Sequence, residues 1–151
     1  FKNVFAKVSQ GVSAATIGMF AYSGKEEGRA GDNSFLFFGP DVSVGTERIE
    51  VNAQYLVRTD DNPEFVAGKT DEIETSGIIG EIVLNPFPDT SRLFGTILYN
   101  SVTSDAPGLE YETITASVSY LLKTNFRLLA ELTHDMENEE SRIVTGFAAG
   151  F

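Results

Sequence analysis

Two side-chain pairs in this 151-residue chain are candidates for acid–base chemistry: Asp60-Asp61, and His134-Asp135 around the single histidine. A carboxylate pair can share a proton, and an Asp beside a His can orient the imidazole as a general base. Both pairs are adjacent in sequence, and in an extended strand neighbours point to opposite faces. Neither pair can then converge on one substrate atom. No nucleophile elbow, phosphate-binding glycine loop or metal-spaced histidine motif accompanies them. The chain has no Cys, hence no thiolate nucleophile, disulfide framework or site for covalent haem attachment. The expectation is a non-enzyme with no cofactor and no metal, in which both pairs are solvated residues at strand ends.

The elements that hold these residues alternate with the period of a strand. Over 49–58, Ile49, Val51, Ala53, Tyr55 and Val57 oppose Glu50, Asn52, Gln54, Leu56 and Arg58. Segments 113–122 and 126–133 repeat the pattern, and 3–9, 13–23, 36–44, 76–85, 92–102 and 141–151 complete a set of nine. Pro40 has no N–H for a ladder, so a bulge or locally broken pairing is expected there. Nowhere does a 3.6-residue period hold for three turns, and no apolar run is long enough for a membrane-spanning helix. The expected fold is all-β, antiparallel and up-and-down, with 1–151 as a single region.

The connections alternate between short and long. Short turns are expected near 10–12, 45–48, 86–91 and 123–125, and longer polar stretches at 24–34, 58–76, 103–112 and 134–141. Those four stretches hold sixteen of the twenty-two acidic residues against four basic ones, a net of −12, so one end of the sheet carries all the excess negative charge. The overall charge of −11 argues against a nucleic-acid partner, which needs clustered Lys and Arg.

The final segment, Ser141-Arg-Ile-Val-Thr-Gly-Phe-Ala-Ala-Gly-Phe151, puts Ile143, Thr145, Phe147, Ala149 and Phe151 on one face. It resembles the terminal strand of bacterial outer-membrane β-barrels, which typically ends on Phe. The resemblance implies a porin-like transmembrane barrel in the outer membrane, with Ile143, Phe147 and Phe151 as its C-terminal assembly signal. The short-turn, long-loop asymmetry also resembles that class. Periodicity alone leaves open whether the apolar face points outward to lipid or inward, as in a soluble barrel binding a hydrophobic ligand. Segments of about ten residues match the length that a tilted strand needs to cross a bilayer. Tyr55, Tyr99, Tyr120, Phe126 and Phe151 suit interfacial girdles. The outward reading makes Lys7, Asp41, Glu50, Asn52, Gln54, Arg58, Glu81, Arg127, Glu131 and Arg142 the lining of a water-filled pore passing small hydrophilic solutes or ions. The same residues could instead pair across strands and fill a narrow lumen.

Bacterial single-chain barrels have even strand numbers. Nine strands ending in the periplasm would start outside, which leads to the expectation that the chain is the C-terminal portion of a larger barrel. The alternative is a complete eight-stranded barrel with 3–9 as an arm. The chain also opens on Phe1, without an initiator Met or signal peptide. Omptin-family outer-membrane proteases carry an acidic pair and an Asp-His pair at the barrel rim, each separated by one residue. The adjacency of both pairs here departs from that pattern.

A further resemblance lies in Asn52-Ala-Gln-Tyr-Leu56 through Asp60-Asp-Asn-Pro63, with Leu98-Tyr-Asn100 and Tyr120-Leu-Leu122. It is similar to barrels that sheathe multihaem cytochromes in electron-transfer conduits, and implies a structural role around a cytochrome partner. Other expected partners are outer-membrane lipid and lipopolysaccharide, and, by family analogy, further copies of the chain. Glu26, Glu27, Asp71, Glu72, Glu74, Glu137, Glu139 and Glu140 could gather divalent cations against lipopolysaccharide phosphates, but their spacing matches no dedicated cation loop and a solvated, self-repelling set of loops is the favoured reading.

Overall fold

The computed structural model describes residues 3–68, 71–90 and 92–150. Nine strands form one antiparallel sheet in chain order: β1 (Val4–Val12), β2 (Ala15–Glu27), β3 (Asp32–Gly45), β4 (Ile49–Asp60), β5 (Ile73–Leu84), β6 (Leu93–Ser104), β7 (Tyr111–Lys123), β8 (Phe126–Asp135) and β9 (Glu140–Ala149). Every expected strand is present. The segment read as a possible arm is instead a full strand, paired with β2 from Val4↔Ser23 to Val12↔Ala15. The sheet is open: among the described residues β1 and β9 each have one neighbour and do not pair with each other.

Register makes the two faces continuous. One cross-strand row runs Val12, Ala15, Val44, Val51, Ile82, Ile97, Ala116, Leu132, Ile143, one apolar residue from each strand. The next row on the opposite face runs Gly11, Thr16, Ser43, Asn52, Glu81, Leu98, Thr115, Thr133, Arg142. A slip of one residue at any ladder would exchange the faces. Val51, Tyr55, Val118 and Leu128 are not packed in a dry interior but exposed, as are Ile143 (75%) and Phe147 (70%). The only buried hydrophobic residues described are Phe35 and Val57, so among the described residues no second layer covers the apolar side of the sheet.

Strand ends differ from expectation at the acidic end. The stretch 24–34 is mostly strand, with the ladder continuing through Glu27↔Asp32 around a tight turn closed by Gly28 N–H to the Gly31 carbonyl at 3.0 Å. Backbone pairing is indifferent to side-chain polarity, so ladders extend past the point where apolar alternation stops. Loops 61–72, 105–110 and 136–139 are likewise shorter than the polar stretches that contain them. At the other end, β1 runs through the residues expected to turn, and Ser13, at φ 56°, makes the reversal.

At Pro40 the β3–β4 ladder is interrupted between Phe38↔Val57 and Asp41↔Gln54 with no change of register. This is the broken pairing expected, without a bulge. The backbone of β4 closes in there: a β-carbon on Gly39 would collide with the Tyr55 carbonyl oxygen, so glycine is required. A register shift does occur on β7, between Leu121 and Lys123.

Candidate functional site

All ten residues read as a lining fall on one face, because each belongs to a row facing away from the apolar side. Within that wall, Lys7 Nζ lies 3.7 Å from Asp41 Oδ2. The Asn52 amide donates to Glu50 and to Glu81, both at 3.0 Å. Lys7, Asp41, Ser43, Asn52, Gln54 and Glu81 share a polar recess of ≈ 360 Å³. Arg127 lies 5.9 Å from the Phe94 ring centre, and Arg142 borders a second polar recess with Thr113, Thr133 and Asp135. Charge is therefore divided across the face. The acids Asp41, Glu50 and Glu81 stand on β3, β4 and β5, whereas Arg127 and Arg142 stand on β8 and β9 with Glu131 between them.

Arg58 belongs to a different construction. At the loop end of β4, past the last apolar position Val57, it donates from Nε to Asp60 Oδ2 and from an Nη to Asp60 Oδ1, both at 2.7 Å. Two parallel charge-assisted bonds fix the guanidinium plane. Its centre sits 4.8 Å from the Phe35 ring, and Glu26 approaches at 3.9 Å. Asn33, the most buried side chain described, donates to Asp60 at 2.7 Å and accepts the Asn62 N–H at 3.0 Å. Asn62 in turn donates to the Asp32 and Val66 carbonyls and accepts the Val66 N–H. The residues after β4 are thus folded back onto the β2–β3 hairpin, with Phe65 against Gly28. Burial pushes the Asp60 carboxyl up, but hydrogen bonds from Arg58 and Asn33 and the charge of Arg58 outweigh it and hold Asp60 below the ordinary carboxylate range.

Sequence reasoning missed the aromatics on the polar face. Phe5 stacks on Phe20 at 6.2 Å, Phe20 meets Phe37 edge-on at 5.1 Å, and Tyr22 tilts against Phe35 at 5.3 Å. Segments 3–9 and 13–23 carry large apolar residues on both faces, which hides the alternation. The signal was the spacing Phe20/Tyr22 and Phe35/Phe37, two residues apart on paired strands.

The acid–base candidates separate as their adjacency requires. His134 pairs with Ile114 on the apolar face and shares a hydrogen bond of 3.0 Å with the Ser141 hydroxyl. Asp135 faces the other way and caps the β8–β9 turn, accepting the Glu137 and Asn138 N–H groups at 3.0 Å and the Asn138 side-chain amide at 2.9 Å. Asp60 is held in its cluster, while Asp61 is exposed and donates its N–H to the Ser34 carbonyl. Replacing Asp135 with Ala should loosen the β8–β9 turn and lower the denaturant midpoint only slightly, because it removes only solvent-exposed turn hydrogen bonds. Among the described residues no three His, Asp or Glu side chains converge as metal ligands do. Ile143 and Phe147 of the expected assembly signal lie on the apolar face, and Phe147 stacks on Phe126 at 5.6 Å; Phe151 lies outside the described residues.

No protein-family model matches the chain, and neither curated proteins nor solved structures include one detectably similar to it.

Proposed function

We propose that the sheet is part of the wall of an outer-membrane β-barrel channel that passes small hydrophilic solutes or ions. The observation that carries this reading is the unbroken apolar row across all nine strands, exposed on one side, with charged and amide side chains on the other. In water such a face would be a severe association liability; against acyl chains it is the favoured surface. Strands of 9 to 14 residues suffice for a span that needs about 9–11. Three of the four connections at one end, β1–β2, β3–β4 and β7–β8, are turns of two or three residues, the β5–β6 connection being longer, and the acidic loops gather at the other end. In hydrocarbon an unpaired backbone group costs several kcal/mol, so both edges would have to be closed by further strands.

The experiment is planar-bilayer reconstitution of the closed barrel that contains this sheet, where stepwise conductance is expected; a silent membrane with verified insertion would sink the channel. Because the acids lie on β3–β5, the double change Asp41→Asn, Glu81→Gln should shift the reversal potential in a salt gradient away from cation preference. An unchanged potential would remove these residues from the conduction path.

The aromatic patch of β1–β3 favours a second reading. Phe5, Phe20 and Phe37 clustered on the face that also carries the charged side chains suit contact with a solid occupant, as in a barrel sheathing a multihaem cytochrome. A red, haem-containing partner co-purifying with the protein is its expected mark.

A further inference from the structure

Close to the turn end, the apolar face carries a notch capped by a basic residue. Ile49, Leu84, Gly95 and Val118 form a single cross-strand row, and the missing side chain at Gly95 opens a gap between its neighbours. The resulting groove of ≈ 380 Å³ is lined almost wholly by carbon, and Arg48 and Pro86, from two successive turns, close its outer end. Resting on the membrane reading above, we propose that this groove seats one acyl chain of a membrane phospholipid, with Arg48 meeting its phosphate.

Depth and charge together select a phospholipid. A strand's turn end lies at the level of the headgroups, so a guanidinium there faces phosphate while the groove runs from it towards hydrocarbon. Arg recognises phosphate through its planar fork of donors. A second basic residue, Arg92, immediately precedes Leu93, another residue of the groove wall. A second copy of the chain docked face to face about a two-fold axis through the groove would bring its own Arg48 against this one, and like charges oppose that pairing. A lipid phosphate supplies the opposite sign.

Gly95 also provides a clean perturbation. A β-carbon there meets nothing nearer than Leu84 Cβ at 3.8 Å, so a larger residue fills the notch without strain. Native mass spectrometry of the detergent-solubilised full chain, titrated with dioleoylphosphatidylglycerol, should show one tightly retained lipid. Gly95→Phe and Arg48→Gln should each weaken it about tenfold, the size expected for losing the seat or one charge-assisted contact. Gly80→Phe, on the same face with open space around it, should leave retention unchanged. Inorganic phosphate should not displace the lipid. Unaltered retention in both groove variants overturns the proposal, as does displacement by phosphate. A dimer abolished by Gly95→Phe overturns it too, and gives the groove to a second copy. Trypsin protection in vesicles of the same lipid separates the two levels: no protection sinks the membrane reading, whereas protection with unaltered retention sinks only the lipid seat.

Discussion

Ala53→Arg should cost about 2–4 kcal/mol of folding free energy in a phospholipid bilayer, while Gln54→Arg, one residue along, should cost little. Ala53 is at the centre of the apolar stretch from Ile49 to Val57 and is exposed, beside Val42 and Gly80. An arginine there would sit near mid-depth in hydrocarbon, where its charge is least tolerated. Gln54 faces the opposite way and pairs with Asp41, so an arginine gains an acidic neighbour in water. The measurement is equilibrium denaturant unfolding of each variant from vesicles. Equal costs at the two positions would contradict the outward-facing apolar surface.

Asp60→Ala should be the most damaging change at the rim, lowering unfolding free energy by about 1.5–3 kcal/mol, the range for hydrogen bonds to charged groups. The loss goes beyond the Arg58 bonds. Asn33, 1% exposed, would keep an amide with no acceptor, and that amide also anchors the Asn62 N–H. Asp60→Asn should recover part of the loss by still accepting from Asn33. Limited proteolysis after β4 should report the release directly, since Asn62 holds residues up to Val66 in place. The sign of the pH dependence follows from the lowered Asp60 pKa. The carboxylate's contribution is complete above its unfolded pKa and is lost as pH falls through the folded value. Acid should therefore free this segment, and neutral pH should leave it ordered.

The fold was largely legible because a two-residue period across nine segments has one economical solution, an up-and-down sheet. Pro40 announced the break in the β3–β4 ladder through its missing N–H. Strand ends were less legible: the rows at Glu26↔Asn33 and Lys25↔Ser34 pair through backbone groups that leave no hydrophobic trace. The rim cluster was invisible for another reason. Arg58 and Asp60 share a face two residues apart, but their meaning depends on Asn33, 27 residues from Asp60 and brought there only by register. The polar wall could be assigned because each member alternates with an apolar neighbour. The aromatic patch could not, since Phe20 and Tyr22 alternate with Met19 and Ala21.

The two outermost strands, β1 and β9, run in the same sense, both from the acidic rim towards the turns. An isologous pair mating β9 with β9 would be antiparallel, but it would point the two acidic rims in opposite directions. A heterologous ring mating β1 with β9 keeps the rims together only by accepting a parallel ladder, the less stable kind. Copies of this sheet are therefore poor material for completing one another. On the proposed barrel reading, antiparallel closure calls for an element whose own ends both travel towards the acidic rim.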